Sequence, residues 1–129
     1  MQFKKILVPL DGSGTADNAF RYGVEMAKTY NAELYVLVVA DIEEAAYPLM
    51  QVNLDRNGFA SVKEKAEAVM ERAKKQIPEG LHVTPIIRVG VPGSVITDLV
   101  EEEKIDLVIM GSVSQYVIHH VKVPVLIIK

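Results

Sequence analysis

The sequence contains no cysteine and no tryptophan. The absence of cysteine excludes disulfides, thiolate metal ligands and a cysteine nucleophile, and it fits a reducing compartment, so we expect a cytoplasmic protein. There is also no long hydrophobic run: the longest apolar stretch, residues 34–40, is much shorter than the roughly 20 residues that cross a bilayer. The first residues enter a strand-like segment without a small-residue cleavage site, so no signal peptide is predicted.

The chain also has no excess of positively charged residues. The formal net charge is −3 and the isoelectric point is near 5.6, whereas nucleic-acid backbones attract clustered lysine and arginine. We therefore expect neither a nucleic-acid nor a membrane partner. With 129 residues, of which 50% are hydrophobic, the chain is long enough to bury one sizeable core, and we predict a single domain over residues 1–129.

Five segments rich in branched aliphatic residues are typical of strands. They are, approximately, residues 5–10, 33–40, 82–89, 105–110 and 124–128. Because segments with helical spacing alternate with them, we predict an α/β fold with a doubly wound parallel sheet of order 3-2-1-4-5 and helices on both faces. Pro85 and Pro124 place the third and fifth strands at the edges, since proline donates no ladder hydrogen bond.

Four helices are predicted between the strands. Their expected caps or first residues are Ser13 or Thr15, Ser61, Pro92 and Ser114. Ser61 is followed three places later by Glu64, which is the spacing of a capping box. Residues 41–60 form the least regular stretch, because Tyr47-Pro48 and Asn57-Gly58 are expected to interrupt any helix, and we predict that this stretch is the most mobile.

Polar residues gather where the first predicted strand ends. Asp11 follows the strand directly, and Gly12, Ser13 and Gly14 come next. Open α/β sheets bind their ligands at the carboxyl ends of the strands, where this carboxylate can accept hydrogen bonds from a ribose or bind a metal. The alternative is that Asp11 and Ser13 only cap the following turn and helix. A dinucleotide fingerprint is excluded because Asp17 stands where its third glycine is required, and no P-loop motif occurs.

A second candidate lies at the end of the fourth predicted strand, where Met110-Gly111-Ser112 precedes a helix. Free backbone amides at a helix start attract anions, and glycine lets a phosphate come close. Together the strand ends predict a cleft with apolar walls for a base and a polar end for phosphate. The cleft is expected to include Asp11, Val38, Val39, Gly90 and residues 110–112. The alternative is that Gly111 simply forms a tight turn.

Neither a metal site nor a catalyst is indicated by the sequence. His119 and His120 are adjacent, so on a helix they point about 100° apart and are poorly placed to chelate one ion. No serine, histidine and acid are visibly arranged as a triad. We predict no catalytic and no metal-ligating residues and, at most, slow ATP hydrolysis, for which Asp11 is the single base in view.

The chain resembles the universal stress protein family over essentially its whole length. The resemblance rests on the opening residues 4–13, on Arg88-Val89-Gly90-Val91-Pro92, on the strand and turn at residues 106–112, and on the closing residues 113–120 and 123–129. Each segment is weak evidence by itself, whereas their combination in this order is specific.

The resemblance implies a dimeric sensor or regulator of the stress response and, in one branch of the family, a bound ATP or AMP with or without Mg²⁺. By position, Pro9, Leu10 and Asp11 would line the adenine and ribose side. Val39 would offer backbone contacts to the base. The other implied cofactor-binding residues are Gly90, Met110, Gly111, Ser112, Val113 and Ser114.

The chain departs from the nucleotide-binding branch after Ser112. There the family pattern continues as Gly-x2-Gly-x9-Gly followed by Ser or Thr, whereas Ser112 is followed directly by Val113-Ser114. One explanation is a deletion, which removes most amides that would wrap a triphosphate and leaves a dimeric scaffold that binds no nucleotide. The other is a loop that the sequence as printed omits, and we favour it because both flanks are intact.

The last predicted strand offers a surface for a second copy of the chain. Residues 125–128 are aliphatic, and Lys122 and Lys129 only flank them. Such an edge exposes unpaired backbone groups that pair readily with another strand. We therefore predict a homodimer through the edge strand that extends over residues 123–128, from Val123 at its start to Ile128 at its end.

Overall fold

The computed structural model of the chain describes residues 2–43, 56–112 and 114–129, with side chains described from residue 60 onward in the helix that begins at Arg56. In chain order the elements are β1 (Lys5–Leu10), α1 (Gly14–Tyr30), β2 (Glu33–Asp41), α2 (Arg56–Lys74), β3 (Val83–Gly90), α3 (Pro92–Glu102), β4 (Leu107–Met110), α4 (Gln115–His120) and β5 (Val125–Ile127). No helix within those described ranges combines the length and the apolar character needed to cross a membrane.

The strands form one five-stranded sheet of order β3-β2-β1-β4-β5, so the predicted fold is confirmed. All neighbouring strands pair in parallel, with Leu10 opposite Val38 in the β1–β2 pair. The carboxyl ends of the strands therefore lie along one edge of the sheet. The two edge strands are β3 and β5, as the prolines predicted. Pro85 lies within β3, and Pro124 directly precedes β5.

The core is divided into two layers by the sheet. Ile6 and Val8 of β1 belong to the cluster formed with α1 and α2, whereas Leu7, between them in sequence, belongs to the cluster formed with α3 and α4. Successive side chains of a strand point to opposite faces, and here both faces are covered. This explains why the interiors of β1 and β2 are apolar throughout and show no alternation of apolar and polar residues.

The helix starts agree with the sequence at three of the four positions. Ser13, not Thr15, is the N-cap of α1, and its Oγ accepts the Ala16 N–H at 3.2 Å. Ser114 is the N-cap of α4, and its Oγ accepts the Val117 N–H at 3.2 Å. α3 begins with a proline, whose missing N–H costs nothing at that position.

The start of α2 differs from the prediction. The helix begins at Arg56, so Asn57 and Gly58 lie within it instead of interrupting it, and Ser61 is an interior residue rather than the cap. Asn and Gly are weak helix formers, but burial of an apolar helix face outweighs their propensities. The buried residues of that face are Ala66, Val69, Met70 and Ala73. The predicted break at Tyr47-Pro48 lies outside the described residues.

The end of β4 touches the first turn of α1. A Cβ built on Gly111 would lie 2.3 Å from the amide nitrogen of Ala16 and 2.3 Å from the carbonyl carbon and oxygen of Thr15. The backbone of α1 thus occupies the space that a side chain would take. Close approach of the α1 backbone is therefore one reason for glycine at this position.

We expect Gly111→Ala to lower the free energy of unfolding by about 3 kcal/mol, because backbone atoms must move to admit the methyl group. Gly14→Ala is the matched control: a Cβ there meets no atom within 4 Å, so stability should change by less than about 1 kcal/mol. Urea unfolding followed by circular dichroism measures both variants. Equal stabilities of the two would contradict the packing role of Gly111.

Candidate functional site

A cavity of about 180 Å³ opens at the carboxyl edge of the sheet, beyond the ends of β1, β2 and β4. One water molecule needs only roughly 15 Å³ of such space. The turn after β1, parts of α2 and α3, and the connection between β4 and α4 complete the walls. The cavity therefore has room for an organic molecule.

Eight of the ten predicted site residues line this cavity. They are Pro9, Leu10, Asp11, Val39, Met110, Gly111, Ser112 and Ser114. Gly90, at the end of β3, does not line the cavity. A Cβ on Gly90 would lie 2.7 Å from Val95 Cγ2, so this glycine serves the packing of β3 against α3. Val113 lies outside the described residues. The ends of β1 and β4 thus converge on one cavity.

The outer wall of the cavity was missed by sequence reasoning. α2 contributes Val62, Lys65, Ala66 and Val69, and α3 contributes Pro92, Gly93 and Ile96. The apolar spacing of both helices marks the face that packs on the sheet, but it does not show which helical turn stands at the edge of the sheet. The Pro92-Gly93 step directly after a strand is a signal that could have identified the contribution of α3.

Asp11 both caps the turn after β1 and lines the cavity. Its Oδ1 accepts the Ser13 N–H at 2.9 Å, so the structural role considered for this residue is real. Gly12 makes the turn with φ of +87°, a conformation that side chains rarely adopt. The Asp11 side chain nonetheless remains exposed at the rim of the cavity. Capping and ligand binding are therefore compatible roles for one carboxylate.

Few charged groups line the cavity. Its ionisable residues, among those that the structure describes, are Asp11, Asp41 and Lys65, and Ser112 and Ser114 supply hydroxyls. Asp41 Oδ1 also accepts the Glu43 N–H at 2.9 Å. Across residues 2–43, 56–112 and 114–129, no group of three or more histidine, cysteine or acidic residues could hold a metal ion.

Arg72 connects α2 to the turn after β1. Its Nη2 lies 3.5 Å from the carbonyl oxygen of Gly12 and 3.6 Å from Asp17 Oδ1. Val69, one turn earlier on α2, lies against the same glycine, since a Cβ on Gly12 would be 3.3 Å from Val69 Cγ2. These contacts hold α2 as the outer wall of the cavity.

An ion pair connects β3 to α3. Arg88 Nη2 donates to Glu102 Oε2 at 2.7 Å. This hydrogen bond lowers the pKa of Glu102 and raises the pKa of Arg88. Burial raises the pKa of Tyr35, and the hydrogen bond that its hydroxyl donates to Glu33 at 3.1 Å acts in the same direction. These groups do not line the cavity, so they support the scaffold around it.

The fold and the cavity define an open α/β protein that can hold a small molecule at the carboxyl edge of a parallel sheet. Comparison with known families narrows this class. Residues 2–129 match the model of the Universal stress protein family. The chain belongs to the universal stress protein family, as its sequence motifs indicated.

Relatives match most of the chain. Universal stress protein MJ0577 of Methanocaldococcus jannaschii is 32% identical over 87% of this chain and 78% of its own length. Universal stress protein MJ0531 of the same organism is 28% identical over 98% of this chain and 82% of its own length. The solved structure of MJ0577 superposes with a TM-score of 0.84 and 29% identity, covering 100% of this chain and 97% of that one.

Two more distant structures of the same fold were solved with adenine nucleotides. The protein At3g01520 of Arabidopsis thaliana has AMP bound; it is 20% identical, with a TM-score of 0.71, over 98% of this chain and 91% of that one. The universal stress protein of Archaeoglobus fulgidus in complex with dAMP is 23% identical, with a TM-score of 0.67, over 100% of both chains. For the present chain, likeness at these identities establishes the fold.

This chain is internally shorter than one of its relatives. Its match to universal stress protein Sll1388 of Synechocystis extends over 153 aligned residues and includes 100% of this chain, which has 129 residues. The relative therefore carries internal residues that have no counterpart here.

The Arg88–Glu102 pair predicts a pH dependence of stability. Because the pKa of Glu102 is lower in the folded than in the unfolded chain, the pair stabilises the fold above the unfolded pKa, and this contribution is lost as the pH falls through the folded pKa. We expect the Glu102→Gln variant to have a lower melting temperature than the parent protein at about pH 7. The difference between the two melting temperatures should become smaller towards about pH 3. Calorimetry at several pH values measures this difference, and a difference of the same size at about pH 3 as at about pH 7 would contradict the prediction.

Proposed function

We propose that this protein binds an adenine nucleoside or nucleotide, such as AMP or ATP, in the cavity at the ends of β1, β2 and β4, and that it acts as a regulator in a stress response. One observation carries the proposal: the turn after β1 and the turn after β4, which are far apart in sequence, line the same cavity. Ligands of open α/β sheets occupy this position.

The chemistry of the walls fits such a ligand. Val39, Val62 and Ile96 supply apolar surface suited to a base. Asp11 supplies an acceptor for the hydroxyls of a ribose, and Ser112 supplies a hydroxyl on the side of β4. Small-molecule sites commonly combine apolar walls with a few placed polar groups in this way. The AMP and dAMP complexes of proteins with the same fold lend further support.

A binding role is favoured over catalysis. The described lining residues include no histidine and no cysteine, and the Oδ1 atom of Asp11 already accepts a backbone hydrogen bond. General-base catalysis needs a group that is free to take a proton close to the reacting atom. We therefore assign no catalytic residue.

Isothermal titration calorimetry tests the proposal. Adenosine and AMP are each titrated into the parent protein and into the Ser112→Trp variant. Ser112 is exposed at the rim of the cavity, so a large side chain there should fill the cavity without disturbing the core. We expect a loss of affinity of at least about tenfold, which corresponds to about 1.4 kcal/mol. Tyr22→Trp, at a side chain that is 55% exposed on α1, is the control and should bind as the parent does.

Two results would contradict nucleotide binding: no heat with either ligand at millimolar concentration, or full affinity in Ser112→Trp. The internal residues of Sll1388 that have no counterpart in this chain favour a second candidate, a dimeric scaffold that binds no nucleotide. A ligand raises the melting temperature only if it binds the native state. An unchanged melting temperature in saturating nucleotide would therefore favour the scaffold.

We further propose that the protein forms a homodimer along β5. This strand is an edge of the sheet, and its Leu126 is 37% exposed, while Ile118 of α4 is 43% exposed. Edge strands of monomeric proteins commonly carry lysine or proline, which discourage pairing with a second chain. Within β5 itself all three residues are aliphatic.

We expect Leu126→Lys to convert a dimer into a monomer in sedimentation velocity, because it places a charge in the proposed interface. Val89→Lys is the matched control, since Val89 is 51% exposed on β3 at the opposite edge of the sheet. That control should remain dimeric. A parent protein that is monomeric, or a dimer that only Val89→Lys dissociates, would contradict pairing through β5.

A further inference from the structure

We propose that Arg72 of α2 is a positioning residue for the cavity, although its side chain does not line the cavity. It acts on the peptide group between Gly12 and Ser13, and this peptide orients the carboxylate of Asp11 at the rim. The inference rests on the proposed function, in which Asp11 accepts hydrogen bonds from the hydroxyls of a ribose.

One peptide group connects Arg72 to Asp11. The carbonyl of Gly12 and the N–H of Ser13 belong to the same planar, trans peptide. Arg72 Nη2 donates a long hydrogen bond, 3.5 Å, to the carbonyl oxygen, and Asp11 Oδ1 accepts the N–H at 2.9 Å. Because a planar peptide turns as a unit, a group that fixes its carbonyl also fixes the direction of its N–H. The two side chains therefore hold opposite ends of one rigid unit.

Local structure alone does not fix the direction of this peptide. Gly12 has φ of +87° and no side chain, so its backbone has a wide range of accessible conformations. Asp11 and Ser13 are both exposed, so the packing of their side chains restrains the turn little. Val69 Cγ2 would lie 3.3 Å from a Cβ on Gly12 and thus holds the α-carbon. The polar restraint on the carbonyl comes from Arg72.

Arg72 is itself held by the first turn of α1. Its Nη2 lies 3.6 Å from Asp17 Oδ1, and the Asp17 N–H is donated to the carbonyl oxygen of Ser13 at 3.0 Å. The same turn of α1 packs its backbone against Gly111 at the end of β4. A guanidinium carries several donors in a fixed plane, so it can face two acceptors at once. Arg72 therefore relates α2 to a turn that β4 already holds in place.

The orientation of Asp11 matters because hydrogen bonds weaken steeply when they are misaligned. An exposed ion pair contributes little to the stability of a fold. It can nonetheless restrict the direction of a polar group, and a few placed polar groups commonly provide the specificity of a small-molecule site. We therefore expect the loss of Arg72 to affect ligand affinity more than global stability.

Calorimetric titration of the full chain with adenosine tests this role in the Arg72→Met variant. Adenosine is uncharged, so removing a positive charge does not act on the ligand directly, and methionine keeps an unbranched apolar chain. We expect the affinity to fall about threefold or more. Lys74→Met is the matched control, because it removes the same charge from α2 and breaks a pair with Glu71 at 3.3 Å away from the cavity. That variant should bind as the parent does.

Solvent exchange of the Ser13 amide, measured by nuclear magnetic resonance without ligand, separates positioning from general loosening. We expect exchange at Ser13 to become about threefold faster or more in Arg72→Met, because the peptide then turns away from Asp11 more often. Val36, fully buried in β2, should exchange as in the parent. Lys74→Met should leave both amides unchanged.

The outcomes distinguish this inference from the proposed function. If adenosine binds Arg72→Met as tightly as the parent, or if Lys74→Met loses as much affinity, the inference is overturned while nucleoside binding stands. Unchanged exchange at Ser13, or equal acceleration at Ser13 and Val36, also overturns it. If the parent binds no adenosine, the proposed function fails, and the inference fails with it. Weaker binding and faster Ser13 exchange in Arg72→Met alone support both.

Discussion

The contact between Gly111 and the backbone of α1 is the constraint on which the site depends. It fixes the first turn of α1 against the end of β4, because no side chain separates them. Asp11 lies just before that turn and Ser112 just after that strand, so the same contact sets the distance between the two polar regions of the cavity. The close packing of the α1 backbone against Gly111 therefore positions both the end of β4 and the polar residues of the cavity.

The cavity combines walls of different origin. Its inner wall consists of strand ends, whose positions follow from the parallel register of β2, β1 and β4. Its outer wall consists of α2 and α3, whose apolar faces are buried on opposite faces of the sheet. The strand ends are positioned by backbone pairing in the sheet, whereas the helices are positioned by side-chain packing.

Much of the fold follows from local features of the sequence. Continuous aliphatic segments predict buried parallel strands, and Pro85 and Pro124 predict which of them lie at the edges. The start of α2 does not follow, because the weak helix propensities of Asn57 and Gly58 are outweighed by packing elsewhere along the helix. Propensity is local, whereas the burial that decides this boundary is not.

The candidate site was predictable where it lies at strand ends and not where helices enter it. The positions of Asp11 and Ser112 follow from the ends of strands, whereas the place of Lys65 depends on how far α2 extends along the sheet. The sequence also leaves two roles open for Gly111, a ligand-binding turn or a packing site. The packing role depends on the path of α1 in three dimensions, which no local sequence pattern shows.

The attachment of α2 has a consequence for how the protein responds to its surroundings. Arg72 and Asp17 are 50% and 34% exposed, so dissolved ions reach their pair and weaken it as the salt concentration rises. One of the contacts that join α2 to the start of α1 is therefore sensitive to ionic strength. High ionic strength weakens this contact at the outer wall of the cavity, while the apolar contact of Val69 beside Gly12 is unaffected by screening.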